Sequence, residues 1–479
     1  MRLADLVARG VESGGDERVT GFAIDHRKVA PGTVFGAFQG ARVNGEDYIG
    51  QAVASGAIAV VARPEVRVEG VAHIADRHPR EAFARLAAQF FAPFPATAVA
   101  VTGTNGKTST VEMTRQLWRM DGHHAASIGT LGVTTADERV TTGLTTPDIV
   151  TFLANVAGLA REGVSHVAFE ASSHGLSQYR TEGLPVAAAA FTNLSRDHLD
   201  YHGDMAAYLT AKLRLFSEVL DADGTAVIWS DDQASPRVLD LARERGNRIV
   251  TVGERGDTLR LTARAPSLLG QMLTVEAEGR EHRVNLPLIG AYQAANALVA
   301  AGLVIATGGG IGATLAALAR LQPVRGRLER ATITRSGAPV YVDYAHTPDA
   351  LEAAIAALKP HAAGRLIVVF GAGGDRDEGK RQPMGAVAAR AADVVIVTDD
   401  NPRGEDAATI RAAVLEGAPE ALEIGDRREA IAAAIGMAAS DDIVLIAGKG
   451  HETGQVVGAG DSQRVLAFDD VAVARECVA

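Results

Sequence analysis

The run Thr102-Gly103-Thr104-Asn105-Gly106-Lys107-Thr108-Ser109 packs two glycines, an amine and four hydroxyls into one short loop. It follows the apolar run Ala98-Val99-Ala100-Val101 and precedes a helical stretch, so it reads as strand, loop and helix. In that setting backbone N–H groups and a helix N-terminus face phosphates, with Lys107 on the β- and γ-phosphates and the Thr108 hydroxyl on Mg²⁺. The usual phosphate-loop pattern asks for glycine five positions before Gly106, where Val101 stands. On this motif alone kinase, switch and motor chemistry all stay open.

Further polar clusters follow. Glu170-Ala171-Ser172-Ser173-His174-Gly175 comes after the apolar run Val167 to Phe169, and a carboxylate at a strand end near a phosphate loop suits Mg²⁺, which prefers oxygen ligands. In Asn193-Leu194-Ser195-Arg196-Asp197-His198-Leu199-Asp200-Tyr201-His202-Gly203 the two histidines have the spacing of a zinc helix. Leu199, however, stands where a metalloprotease needs its general base, which removes that reading. Thr145-Thr146-Pro147 offers two hydroxyls on a proline-fixed backbone, with a plain turn equally open, and Lys212 by itself reads as a solvated lysine.

These groups need a scaffold. After Gln322-Pro323-Val324-Arg325-Gly326 one theme recurs four times, an apolar β-rich run ending in a polar loop: Val340 to Val342 before Asp343, Leu366 to Phe370 before Gly371, Val394 to Val397 before Thr398, and Ile443 to Ile446 before Gly448. Alternation with helical stretches predicts a mostly parallel sheet covered on both faces, whose chemistry lies beyond the carboxyl ends of its strands. A second proline-marked break, Ala92-Pro93-Phe94-Pro95, ends a helix expected from Pro79 to Phe90. Before it, Val34 to Phe38 and Ile58 to Val61 read as strands. The expectation is an α/β protein of three domains: a small one over 1–95, a central phosphate-loop domain over 96–322, and a Rossmann-like one over 323–479.

With 479 residues, 47% hydrophobic and 22% charged, the chain has the balance of a folded globular protein. A formal charge of -11 argues against a nucleic-acid partner, which would need basic stripes. The single cysteine, Cys477, excludes an internal disulfide and fits a reducing compartment. The start shows no secretory pattern, and the most apolar helical stretch, Ala294 to Thr307, is too short to span a bilayer. A cytoplasmic monomer without a membrane span is expected.

The loop Gly103-Thr104-Asn105-Gly106-Lys107-Thr108 resembles the ATP loop of the Mur ligase family, and the likeness continues through nearly the whole chain, closest to the subgroup acting on UDP-N-acetylmuramoyl-L-alanyl-D-glutamate. The resemblance implies an ATP-dependent ligase of cell-wall precursor synthesis using two Mg²⁺ ions. It implies that Glu170 is a metal ligand, that His198 lies near the second metal and is the candidate general base by position, and that Lys212 carries CO₂ as a carbamate and so becomes an oxygen ligand. Only a neutral amine reacts with CO₂, so the surroundings of Lys212 must disfavour the ammonium. Thr145, Thr146, Ser172, Gln178 and Arg180 match positions that bind the UDP-linked dipeptide. Ile24-Asp25-His26-Arg27 and Gly40-Ala41-Arg42-Val43 fall where the family grips the UDP group, with His26 in place of the common serine. Asn296, in Gly290-Ala291-Tyr292-Gln293-Ala294-Ala295-Asn296, together with Ser109, Arg327, Asp343 and His346, match the ATP side, while Gln293 replaces a family asparagine.

Asp400-Asn401-Pro402-Arg403 matches the signature of the members that add meso-2,6-diaminopimelate, in which a guanidinium meets the second carboxylate that lysine lacks. Arg376 in Gly374-Asp375-Arg376-Asp377, and Gly448 and Glu452 in Gly448-Lys449-Gly450-His451-Glu452, complete that pocket, with Glu452 facing the far ammonium. The rival readings are a sister or folylpolyglutamate-type ligase adding another amino acid, and a phosphate-loop switch that makes no bond.

Overall fold

The computed structural model describes residues 1–7, 16–40, 43–141, 143–267, 270–375 and 377–478. Ala41, Arg42 and Arg376 lie outside the described residues. Three large sheets carry the chain. The first has four parallel strands, in the order Gly21–Ala23, Thr33–Gly36, Ala57–Ala62 and Ala72–Ala75. Helix Pro79–Phe91 covers it, opening on a proline whose missing N–H costs nothing there. Its buried Phe83 meets Phe22 and Phe38 edge-on at 5.3 and 5.4 Å. The strand expected to reach Phe38 stops at Gly36, beyond which Phe38 folds back onto Phe83.

The central sheet has eleven strands. Thr97–Thr102 pairs in parallel with His166–Glu170 on one side and Ala188–Phe191 on the other. Their runs of buried apolar residues are what a strand covered on both faces needs. Ala125–Gly129, Thr225–Trp229 and Arg248–Gly253 continue the parallel core. Two antiparallel extensions had no counterpart in the sequence reading: Leu259–Ser267, Gly270–Ala277 and Arg280–Leu286 at one edge, Gly132–Thr134 and Arg139–Val140 at the other. The turn between Ala277 and Arg280 places Glu278 and Gly279 at φ 50° and 70°, a tight hairpin turn built on Glu-Gly where Asn-Gly is the usual signal.

The third sheet runs Glu329–Ile333, Pro339–Asp343, Ile443–Ala447, Leu366–Phe370, Val394–Val397 and Leu422–Glu423, parallel except for the first. Helices pack on both faces, one side led by Leu351, Ile355 and Met384, the other by Ile431, Ile435 and Val471. All four expected apolar runs are strands here. Their carboxyl ends deliver Asp343, Gly448, Gly371 and Thr398 to one edge.

Candidate active site

Gly106, at φ 87°, caps helix Lys107–Met120, and Gly103 sits at φ 147°. A Cβ on Gly106 would also run into the amide of Asn296, so both the backbone and the neighbour require glycine. Lys107 curls back over the loop, its Nζ donating to Gly103 O at 2.9 Å and Thr104 O at 2.8 Å. Desolvation lowers its pKa, with Glu170 and Asp197 pulling the other way. Across from it the Asn193 side chain accepts from Asn105 N at 2.9 Å and donates to Asn105 O at 3.1 Å, holding the loop from the adjacent strand end.

Glu170 is buried at the end of its strand. Its carboxylate accepts from Thr130 N at 2.7 Å and from the Thr130 hydroxyl at 3.1 Å, and that hydroxyl in turn pairs with the Thr145 hydroxyl at 3.1 Å. The Thr146 hydroxyl donates to Glu170 O at 2.8 Å and accepts from Ser172 N, while Arg180 donates to Thr146 O at 2.8 Å. Arg180 also grips Gln178, whose amide reaches the Tyr201 hydroxyl. Five of the residues matched to the nucleotide-peptide substrate are therefore one connected patch beside Glu170.

Lys212, on helix Met205–Arg214, is 1% exposed, unlike the solvated lysine its own sequence context suggests. Its Nζ donates to Gly103 O at 2.7 Å from behind the loop and lies 4.3 Å from the ring centre of Tyr208. Burial, with repulsion from Lys107, holds its pKa well below that of an ordinary lysine. His198 stands at φ 53°. Burial pulls its pKa down to about 4, opposed by Asp197 at 3.5 Å. Burial alone would raise Asp197, but His198, His346 and Lys107 together hold it below the usual carboxylate range. His202 hydrogen-bonds Ser173 at 3.0 Å, which accounts for it structurally.

The third sheet closes over this group. Arg327 donates to the Thr108 hydroxyl, and its guanidinium lies 4.4 Å from the ring centre of Tyr344. Asp343 is buried, accepting from Leu328 N at 2.7 Å, Ala345 N at 2.8 Å and the Tyr292 hydroxyl at 3.3 Å; burial raises its pKa against the pull of Arg327. His346 is oriented by a 2.8 Å hydrogen bond to Tyr344 O. Between these elements lies a cleft of about 440 Å³, lined by the loop from Thr104 to Ser109, Thr145, Glu170, Ser172, His198, Asn296, Arg327, Asp343 and His346. Tyr344, of the same loop as Asp343 and His346, lines it too, as do Thr130 and Asp197, which were given no role from sequence. Only the sheet topology could have found Thr130, which stands one position past the strand end at Gly129, beside Glu170.

The second polar centre lies at the adjoining loops. Arg403, at φ 53°, donates through Nη1 to Gly374 O at 2.8 Å, while its backbone pairs with Val456 and Gly458 of the hairpin Gly454–Val457 and Arg464–Ala467. Asn401 donates to Glu452 at 2.8 Å, which brings Asp400, Asn401, Arg403, Gly448 and Glu452 into one cluster. Tyr344 stands between this cluster and the cleft, its ring 4.9 Å from that of His451 and tilted by 51°. Pro402 contributes its carbonyl to the turn, accepting from Glu405 N. Ile24 follows the end of the first strand at Ala23 and His26 opens the 3-10 turn His26–Lys28; neither lines the cleft, and His26 stacks on Tyr48 at 4.4 Å and 8°. Among the described residues no three His, Cys, Asp or Glu side chains converge as a ready metal cage. The oxygens of Thr108 and Glu170 on one cleft do suit a hard cation that keeps water and phosphate ligands.

A phosphate loop ringed by Glu170, Asn296 and Arg327, with a separate polar cluster at the loops of the last sheet, has clear relatives. The description "Mur ligase family, catalytic domain" matches residues 18–91, "Mur ligase middle domain" 101–304, and "Mur ligase, glutamate ligase domain" 326–450. The chain belongs to the Mur ligase family. Within it, the UDP-N-acetylmuramoyl-L-alanyl-D-glutamate–2,6-diaminopimelate ligase of Zymomonas mobilis is 62% identical over 97% of this chain and 95% of its own. The ligase of the same name from Bradyrhizobium diazoefficiens is 52% identical over 98% and 97%. A solved structure of a ligase of that name superposes with TM-score 0.72 at 32% identity, covering 100% of this chain and 98% of its own. At 21% identity a folylpolyglutamate synthase of Mycobacterium tuberculosis complexed with ADP shares the fold, with TM-score 0.63 over 77% and 91%.

Proposed function

We propose that this chain is an ATP-dependent ligase that joins meso-2,6-diaminopimelate to the D-glutamyl carboxylate of UDP-N-acetylmuramoyl-L-alanyl-D-glutamate in the making of the peptidoglycan precursor. The observation that carries this reading is the pairing of a phosphate cleft with a charged side-chain cluster, suited to an amino acid, on the other side of Tyr344. Relatives at 62% and 52% identity bear the name of that activity.

A carboxylate does not accept an amine at neutral pH unless it is activated. The D-glutamyl carboxylate attacks the γ-phosphate, ADP leaves and an acyl phosphate forms; the amine of diaminopimelate then attacks the acyl carbon, and phosphate departs as the amide forms. Lys107 neutralises charge on the transferring phosphoryl group. Thr108 and Glu170, joined by Lys212 as its carbamate and by His198, would hold Mg²⁺, which supplies charge neutralisation on the phosphates when bound. Thr145, Thr146, Ser172, Gln178 and Arg180 seat the peptide end of the nucleotide substrate, and Ile24 and His26 its uridine end. Three domains, 1–95, 96–322 and 323–479, each present one substrate, as a cytoplasmic monomer.

The test is a panel of amino acids, each offered with ATP and the UDP-dipeptide, read by product mass and phosphate release. Diaminopimelate should give a tripeptide product. Product with another amino acid alone would transfer the chain to a sister activity, and phosphate release independent of any amino acid would reject bond formation. Lys107→Ala should lower turnover by on the order of 10²-fold or more while the fold persists.

A further inference from the structure

Lys449 is a lysine with no exposed surface at the end of strand Ile443–Ala447, inside the amino-acid pocket. Its ammonium donates to Asn401 Oδ1 at 2.9 Å, to Glu452 Oε2 at 3.3 Å and to Asp400 Oδ1 at 3.4 Å. Asn401 Oδ1 also accepts from Val456 N at 2.9 Å. Both partners of that oxygen can only donate, so the amide cannot turn over without setting its NH₂ against an ammonium and an N–H. The Nδ2 edge is thereby fixed as a donor, with one hydrogen on Glu452 Oε2 at 2.8 Å and one remaining.

We infer that Lys449 is a positioning residue that sets the polarity of this pocket, making Asn401 a donor beside Arg403 and leaving Glu452 Oε1 as the acceptor, so that the pocket selects a zwitterionic amino-acid head group over a lone ammonium. The inference rests on the ligase reading above and deepens it. Lys449 touches no substrate in this scheme. It acts through Asn401 and Glu452, and it balances one of the two carboxylates that Asp400 and Glu452 bring into a buried place. The donor edge of Asn401 and the guanidinium of Arg403 meet a carboxylate, and Glu452 Oε1 meets the neighbouring ammonium. A distal end with an amine and no carboxylate, as in lysine, leaves the donors unmatched, which is the costly outcome for a buried site.

The experiment compares wild type, K449M and N401D for kcat and KM with meso-diaminopimelate, L-lysine, ATP and the UDP-dipeptide. Both variants should lower the ratio of kcat/KM for diaminopimelate to that for lysine by at least about 10-fold, because a charge-assisted contact is lost for one substrate only. KM for ATP and for the UDP-dipeptide should stay within about twofold of wild type, since neither contacts the pocket. N401D keeps Lys449 and the side-chain shape, so it carries the test alone should K449M fail to fold. A ratio unchanged in N401D, or a K449M that loses both amino acids and ATP in proportion, overturns the inference while wild-type tripeptide formation leaves the ligase reading standing. A wild type that joins no amino acid overturns both.

Discussion

Arg327 Nη2 donates to the Thr108 hydroxyl at 3.1 Å, joining residues 219 positions apart and pinning the third sheet to the first turn of the phosphate-loop helix. The same guanidinium lies against Tyr344, so one side chain couples the two walls of the cleft.

Arg327→Ala should therefore raise KM for ATP by about 10-fold or more, the value of a lost charge-assisted contact. The helical content of the variant should match wild type by circular dichroism. An unchanged KM would remove Arg327 from the nucleotide site.

Arg403→Ala should cost diaminopimelate far more than lysine, by about 10- to 100-fold in relative kcat/KM, since the guanidinium contact serves the carboxylate that lysine lacks. Competition between the two amino acids, read by product mass, measures it. Equal losses would place Arg403 outside amino-acid selection.

Asp442 is buried just before strand Ile443–Ala447, at the amino end of the third sheet, and its pairing with Arg365, helped by the N–H groups of Ala439 and Arg365, holds its pKa at about 2, below the ordinary 3.8. A carboxyl lowered by folding stabilises the native state above its unfolded pKa and loses that contribution as pH falls through the folded one. Asp442→Asn should thus cost about 2 kcal/mol near neutral pH, with the difference from wild type closing between pH 3.8 and about 2 in urea titrations.

Arg427 and Asp470 form a wholly buried ion pair at 2.7 Å, and Arg427 also donates to Asp399 O and Ala447 O, the carbonyls just before Asp400 and Gly448. Arg427→Met should destabilise by about 3–5 kcal/mol because Asp470 is left charged and unpaired, and replacing both partners by apolar residues should recover most of that in the same unfolding assay. The single variant should also weaken diaminopimelate binding, because both loop ends lose a tether.

Much of this was legible in the chain. The four apolar runs of the last sheet carry β-branched residues that are buried in all cases but Val394, and the strand-loop-helix around Lys107 announces itself through glycine spacing. Burial of Lys212 was foreseeable only through the family resemblance, since no local pattern distinguishes a lysine in Ala-Lys-Leu-Arg as interior. Thr130 acquires its role from Glu170, 40 residues away, Lys449 from Asn401, 48 away, and Asp197 from His346 and Lys107 as well as its neighbour His198, and such long-range pairings depend on strand order that one sequence does not display. The antiparallel hairpin Gly270–Ala277 and Arg280–Leu286 was missed because its Glu278-Gly279 turn lacks the usual Asn-Gly signal, although its strands alternate between buried and exposed as a half-covered strand does.

Among the described residues six non-glycine residues hold a positive φ; His198 lines the cleft, Leu328 donates to the cleft's Asp343, and Arg403 stands in the amino-acid cluster with Asp375 beside it. Such backbones are held there by their surroundings at a cost of about 1–3 kcal/mol each. An engineer seeking heat resistance would find these places attractive for glycine, yet at His198 and Arg403 the exchange that relieves the backbone also removes the side chain the site uses, so the gain would come with blunted turnover. Longevity and speed in this molecule compete for the same few torsions.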